Sequence, residues 1–231
     1  MIRRLSQNLV NQIAAGEVVV RPASVIKELV ENAIDAEATR IRVAVGNDNR
    51  DLTVSDDGCG ISLTEAPLAL QRHTTSKIKQ PNDLENILTR GFRGEALASI
   101  AAVAKLSLTS READALVGAR VIVWGGDLQN QEQLGCPDGT TVEVRELFYN
   151  TPARLRFLKT KTSEWRHVVN TVVRQALGIC TIGFRLENGG RVVFDLPPGQ
   201  PLAERFAQII GLPRPARLVE INYERAGVRI A

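Results

Sequence analysis

The stretch Ser24-Val25-Ile26-Lys27-Glu28-Leu29-Val30-Glu31-Asn32-Ala33-Ile34-Asp35-Ala36 decides the fold. Glu28, Glu31, Asn32 and Asp35 recur at i, i+3, i+4 and i+7, which on an α-helix puts three acids and an amide on one stripe. Ile26, Leu29, Val30 and Ala33 repeat that spacing from two residues earlier, so their stripe lies about 200° around the helix. The spacing predicts a helix over 22–36, with one face for a core and an acidic face for another purpose. Pro22 suits the first helical position, and Ser24 is an alternative cap.

Two glycine turns follow: Asp56-Asp57-Gly58-Cys59-Gly60 and Gly91-Phe92-Arg93-Gly94-Glu95-Ala96-Leu97. With the acidic face they make the parts of a nucleotide-phosphate site. There is no GxxxxGK[ST] string and no six-residue GxGxxG, which disfavours the common nucleotide folds. Asn32 offers a hard oxygen one turn after Glu28, in the style of a magnesium ion that keeps waters and shares phosphates. Glu28 would then lie beside a terminal phosphate, placed to orient and deprotonate a water. Asp56 ends a strand, where a buried carboxylate can accept from an exocyclic amine such as that of adenine. Gly58 and Gly60 would let the backbone approach a flat ligand. Residues 91–94 precede a helix, so their N–H groups can cradle an anion, with charge added by Lys77 and Arg93. Taken singly, each feature is commonplace. An acidic face is usually solvated, and an Asp-Gly pair usually marks a hairpin. Their conjunction and order carry the reading.

Composition sets the frame. The chain has 231 residues, 44% of them hydrophobic, and a net charge of +3, which suits one sizeable domain or a domain plus part of another. No 18-residue apolar run crosses a membrane, and the N-terminus has no apolar signal core, so a cytoplasmic location is expected. Cys59, Cys136 and Cys180 form no CxxC pair, which disfavours zinc. Weak basicity and abundant arginine permit nucleic-acid contact.

Alternating apolar residues predict strands over 40–45, 52–54, 106–109, 119–124 and 140–145, and a hairpin over 183–186 and 191–194 around Asn188-Gly189-Gly190. Helices are expected over 63–71, 95–104 and 163–177, after a short opening segment. Residues 73–88, polar and irregular, are long enough for a mobile lid. Residues 196–201 read as a linker, followed by one helix and two short strands that stop mid-pattern, as in a chain that continues. The expected division is 1–196 for the nucleotide domain and 197–231 for a linker and the start of a second domain.

The strings Asn11-Gln12-Ile13-Ala14-Ala15-Gly16-Glu17-Val18, Lys27-Glu28-Leu29-Val30-Glu31-Asn32, Arg72-His73-Thr74-Thr75-Ser76-Lys77, Gly91-Phe92-Arg93-Gly94-Glu95-Ala96-Leu97 and Leu147-Phe148-Tyr149-Asn150-Thr151-Pro152-Ala153-Arg154, together with Asp56-x-Gly58-x-Gly60, resemble the MutL family of DNA mismatch-repair proteins. The likeness runs from near the N-terminus through about Leu158. The acidic helix and Asp-x-Gly-x-Gly turn are shared with the wider GHKL superfamily; the other strings are particular to MutL. The resemblance implies an α+β fold, a GHKL (Bergerat-type) α/β sandwich with a mixed sheet, and after it a transducer domain like domain 2 of ribosomal protein S5. It implies ATP and Mg2+ as cofactors, Glu28 as general base and Asn32 as metal ligand. Asp56 and Thr140 would contact adenine, and Thr75, Ser76, Lys77, Gly91, Phe92, Arg93, Gly94, Glu95, Ala96 and Leu97 would hold the phosphates. The nucleotide cycle would close and open a DNA clamp in a homodimer, with a MutS-type mismatch-recognition protein and a downstream nuclease or helicase as partners. Arg156 and Lys159, just past the Leu147–Arg154 string, are the candidate DNA contacts. The chain without its second domain should hydrolyse poorly, because in the group it resembles that domain supplies a lysine to the terminal phosphate. Two departures stand out: Asp57, where Asn is commoner, should add charge near the site, and Glu37 stands where Gly commonly follows Asp-Ala. An ATP-responsive binding module without turnover and a type II topoisomerase ATPase subunit are the alternatives; the MutL strings weigh against the latter.

Overall fold

The computed structural model describes residues 3, 7–75, 90–91, 94–212, 223–225 and 228–230. Ten strands and six α-helices lie among them. In chain order they are α1 (Gln7–Val18), α2 (Pro22–Asp35), β1 (Arg40–Val45), β2 (Leu52–Asp56), a 3-10 turn (Leu68–Leu70), α3 (Ala96–Val103), β3 (Lys105–Arg111), β4 (Gly118–Trp124), β5 (Asp127–Leu134), β6 (Gly139–Arg145), α4 (Pro152–Phe157), α5 (Lys161–Gly178), β7 (Gly183–Asn188), β8 (Arg191–Leu196), α6 (Leu202–Ile209), β9 (Tyr223–Arg225) and β10 (Val228–Ile230).

Eight strands form one sheet in the order β5-β4-β3-β6-β2-β1-β7-β8, and β9 and β10 pair separately. Every neighbour in the large sheet is antiparallel except β1 and β7, which run parallel with Val43 opposite Leu186. One sheet face is apolar. Ile41, Val43, Leu52, Val54, Leu106, Leu108, Val142 and Val144 point into a single core with Ile26, Leu29 and Val30 of α2 and Val168 and Val172 of α5. Helices α2, α3 and α5 lie over this face, and α1 packs against α3. Burying each large aliphatic side chain is worth about 1.5–3 kcal/mol, so the apolar stripe of α2 is what fixes its acidic stripe outward.

α2 runs as its pattern predicts. Pro22 opens it after an extended Arg21, and Ser24 plays no capping part. It ends in a Schellman arrangement: the Ala38 amide donates to the Ala33 carbonyl (3.2 Å) and the Glu37 amide to the Ile34 carbonyl (3.0 Å). That geometry puts Glu37 at φ 59°, a left-handed position glycine occupies without strain. The predicted hairpin is β7–β8, turned by Gly189 and Gly190, both at positive φ as a two-residue turn requires.

Two expectations are corrected. Residues 7–18, read as an opening segment, are helical. Their sequence lacks a wide apolar stripe; among the described side chains of the helix only Ala15 is fully buried, and external donors supply the rest. Arg72 donates to the Asn11 carbonyl (3.0 Å) and Arg154 to the Gln12 carbonyl (2.6 Å). Residues 63–71 form turns and a 3-10 turn instead of an α-helix. The Ser62 hydroxyl accepts from the Glu65 amide and donates to the Glu65 carboxylate, which starts a helical turn that Pro67 then interrupts.

Helix α6 is fastened by an unusual buried cation. The Arg205 side chain, fully buried, donates to five backbone carbonyls, those of Ala176, Ile179, Cys180, Ile182 and Pro197. These carbonyls lie at the C-terminus of α5 and in the segments around it, where orphan acceptors need donors.

Candidate nucleotide site

The acidic stripe of α2 faces away from the core, as the spacing requires. Glu28, Glu31, Asn32 and Asp35 are all partly exposed. Lys27 bridges the first two, with its Nζ 3.4 Å from Glu28 Oε1 and 2.8 Å from Glu31 Oε2. Glu28 and Asn32 thus stand one turn apart on the side where a phosphate and metal would lie. Asp35, the last residue of the helix, accepts two backbone amides at once: Arg90 N–H on Oδ1 (3.0 Å) and Gly91 N–H on Oδ2 (3.1 Å).

Asp56 ends β2 directly opposite Thr140 on β6. Its Oδ1 accepts from the Gly58 amide at 3.0 Å. Burial pushes its carboxyl up to about 6, against the opposing pull of the Gly58 and Thr140 amides. A carboxylate held short of full solvation in this way has acceptor capacity for an amine donor. The Thr140 hydroxyl lies 2.9 Å from the hydroxyl of Ser110, a fully buried residue of β3. Ser110 also accepts from the Ile61 amide (2.8 Å) and donates to the Gly139 carbonyl (2.9 Å). It therefore joins the end of the Asp56–Gly60 turn to β6. Sequence reasoning passed over Ser110; its one signal was a hydroxyl continuing the inward register of Leu106 and Leu108.

The glycines have a nearer reason than the one expected. A side chain on Gly58 would stand 2.6 Å from the Ala36 carbonyl, and one on Gly60, at φ +73°, would collide with the Arg111 backbone. The space is filled by protein, so these positions let the turn pack against the end of α2 and against β3. Asp57 is turned away from its neighbour. Its carboxylate accepts from the Thr39 amide (2.8 Å), the Thr39 hydroxyl (2.6 Å) and the Arg40 amide (2.7 Å). Burial pushes this carboxyl up, but the Thr39 hydroxyl and the two amides outweigh it and hold it below the ordinary range. The charge expected to act near the site is engaged in starting β1.

The two segments expected to hold phosphates meet. Gly94, at φ +60°, lies so close to the Thr74 backbone that a side chain there would collide with the Thr74 carbonyl. His73 Nδ1 stands 3.3 Å from Glu95 Oε1. The Thr74 hydroxyl donates to the Leu68 carbonyl at 2.6 Å and pins the segment from below. Thr75 follows directly. Glu95 precedes α3, whose first residues are Ala96 and Leu97; Leu97 packs on the core. Ser76, Lys77, Phe92 and Arg93, and with them most of the expected lid, lie outside the described residues. Arg156 and Lys159 are exposed, one on α4 and one just beyond it. Among the described residues no His, Cys, Asp and Glu cluster could hold a metal alone. An oxygen donor that shares the ion with phosphates and water, as the Asn32 amide offers, fits magnesium better than such a cluster would.

A mixed sheet covered on one face by helices, an outward acidic stripe and a half-buried Asp at an Asp-x-Gly-x-Gly turn define the GHKL class of ATPase domains. The family described as "Histidine kinase-, DNA gyrase B-, and HSP90-like ATPase" matches residues 20–134. The DNA mismatch repair protein MutL of Symbiobacterium thermophilum is 46% identical over 230 residues, covering 99% of this chain and 36% of that protein. MutL of Opitutus terrae is 47% identical over 230 residues, covering 99% and 37%. Among solved structures, the Aquifex aeolicus MutL ATPase domain complexed with ADP superposes with a TM-score of 0.67 at 34% identity, covering 84% of this chain and 70% of that one. The chain belongs to the MutL family. It spans about a third of the length of the MutL relatives it matches.

Proposed function

We propose that this chain binds ATP and hydrolyses it slowly with magnesium, and that the whole protein uses the nucleotide cycle to close and open a clamp on DNA in mismatch repair. The observation that carries the reading is the placement of Glu28, Asn32 and Asp35 on one outward stripe, with Asp35 holding residues 90–91 against it. The Aquifex aeolicus relative of the same fold is complexed with ADP, which supports nucleotide binding by this chain.

Each residue then has a definable task. Asp56 accepts the adenine amine, and Thr140, held by Ser110, lies beside it. Glu28 orients a water and takes its proton as the water attacks the terminal phosphorus. Lys27 keeps Glu28 in place without burying it. The amides that follow Gly91, whose own N–H is held by Asp35, and the Thr75, Ser76, Lys77 and Arg93 side chains take up phosphate charge. Asn32 contributes its amide oxygen to the metal. Magnesium, when bound, would neutralise charge shared between the phosphates.

For the whole protein we propose a homodimer, DNA held through its backbone at Arg156 and Lys159, a MutS-type partner, a downstream nuclease or helicase, and a cytoplasmic location. No helix among the described residues is long and apolar enough to cross a membrane. Residues 1–196 would form the ATPase domain and the segment from 197 would lead into the second. Titration with ADP and a non-hydrolysable ATP analogue tests the site, and turnover measured beside a Glu28→Gln control tests the chemistry. Binding without turnover in the full-length protein would leave an ATP-responsive binding module; no binding would overturn the reading.

A further inference from the structure

An acid in the last turn of a helix sits against the negative end of the helix dipole, which disfavours it. Asp35 is in that position, the final residue of α2. Its carboxylate is there for two amides. Arg90 and Gly91, consecutive in the chain, each donate a backbone N–H to a different oxygen, at 3.0 and 3.1 Å. Two hydrogen bonds to a charged acceptor outweigh the dipole at a helix end.

A second side chain closes the same joint from α5. Gln175 Oε1 accepts from Arg90 Nη1 at 2.8 Å, and Gln175 Nε2 reaches Glu31 Oε1 at 3.4 Å. Residue 90 is thus gripped at its backbone by Asp35 and at its guanidinium by Gln175. Gln175 itself leans on Glu31, one turn before Asp35. The amide oxygen and nitrogen are used in opposite senses, which fixes the orientation of the side chain. Nothing in the α5 sequence marked Gln175; it lies outside every string that placed the nucleotide site.

We propose that Asp35 and Gln175 are positioning residues that lock Arg90 and Gly91, which lead into the expected phosphate segment, to the helix carrying Glu28 and Asn32. The inference rests on the nucleotide reading above and adds to it. The base and the phosphate-binding turn belong to segments some sixty residues apart in the chain. The geometry between them is set by a carboxylate with two fixed amides and an amide with two fixed partners, and neither the Asp35 nor the Gln175 side chain needs to touch the nucleotide. The predicted consequence is selective: losing the joint should weaken contact with phosphate and leave contact with the adenine end, held by Asp56 and Thr140, as it was.

The test uses Asp35→Ala, Asp35→Asn and Gln175→Ala in the otherwise unchanged protein. In the nucleotide-free state, amide hydrogen exchange at Arg90 and Gly91 should speed by roughly ten-fold or more in Asp35→Ala, the loss expected for a charged acceptor, with the amides of Ile26 to Val30 unchanged. In titrations, the Kd for ADP should rise by about ten-fold relative to the Kd for adenosine. Asp35→Asn keeps one acceptor and should fall between. Gln175→Ala, which leaves α2 intact, should show a smaller shift in the same ratio and serves if Asp35→Ala does not fold. Unchanged exchange at residues 90 and 91 overturns the joint. Faster exchange with an unaltered ADP-to-adenosine ratio overturns the positioning role and leaves the nucleotide reading standing. A parent protein that binds neither ligand overturns that reading and the positioning role together.

Discussion

Thr140 stands directly across the β2–β6 ladder from Asp56, and its hydroxyl is held 2.9 Å from that of the buried Ser110. The pairing joins a titratable group to a hydroxyl that is itself fixed from behind. Burial moves Asp56 from 3.8 in the free chain to about 6. The folded state therefore holds this proton more tightly than the unfolded chain does. At this site stability is greatest at low pH and declines as pH rises through the interval from 3.8 to about 6.

Asp56→Asn removes the charge whose desolvation causes that decline. We expect it to raise stability near pH 7.5, by on the order of 1–2 kcal/mol, and to gain little near pH 4. The same change should weaken adenine-nucleotide binding, because an amide replaces a charged acceptor. Thermal melts at the two pH values and an ADP titration check both halves. In the parent protein ADP affinity should fall as the pH drops below about 6, where the carboxyl takes up its proton.

Glu28→Ala should reduce turnover in the full-length protein by about 100-fold or more while ADP affinity changes little, since a base acts on the water and not on ground-state binding. Steady-state hydrolysis set beside direct titration gives the answer. Parent-level turnover in the variant would remove Glu28 from the mechanism.

Glu37 closes α2 in the left-handed region, at φ 59°. Glu37→Gly should stabilise the protein by up to about 1 kcal/mol, because the strain of a side chain there exceeds the added freedom of the unfolded glycine. Chemical denaturation reads it, with an unchanged slope showing that only stability moved.

Arg205→Met would fill similar space and leave five carbonyls without their donor. A loss of about 3 kcal/mol or more is expected, the range for breaking a buried polar network. Protease sensitivity near residues 197–212 should rise in step with it.

Charge reversal at Arg156 or Lys159 should lower DNA affinity at low salt without regard to sequence, and reduce the slope of log affinity against log salt by about 1 per site. Binding isotherms at several salt concentrations, with two unrelated duplexes, would show whether either residue takes part.

What could be read from the chain was local. α2, β1, β2 and the β7–β8 hairpin declare themselves through short-range spacing and turn residues. β5 does not: its run from Asp127 to Leu134 is almost wholly exposed and polar, with no alternation, and only its ladder to β4 makes it a strand. α1 hid for a related reason, since much of its support comes from Arg72 and Arg154, distant in sequence. At the site, the order of the motifs was legible and the partnerships were not. Asp35 was read as part of an acidic face, yet its partners are amides of residues 90 and 91. Ser110 and Gln175 carried no motif at all. Asp57 looked like an added charge and proves to be spent on Thr39 and Arg40.

The lone parallel joint in the sheet bears on how the molecule is made. β1 has one neighbour, β2, that follows within a few residues, and another, β7, that begins only at Gly183. On an emerging chain the helix bearing Glu28 and its first hairpin can assemble early, but β1 keeps an unpaired edge until most of the chain has been synthesised. Closing so long a loop is slow, and an exposed edge in the meantime invites pairing with the wrong strand. The polar and charged residues on the outer face of β1, Arg40 and Arg42 among them, fall where such an error would otherwise start. Premature release of the chain before β7 should therefore yield aggregate more readily than a smaller folded domain.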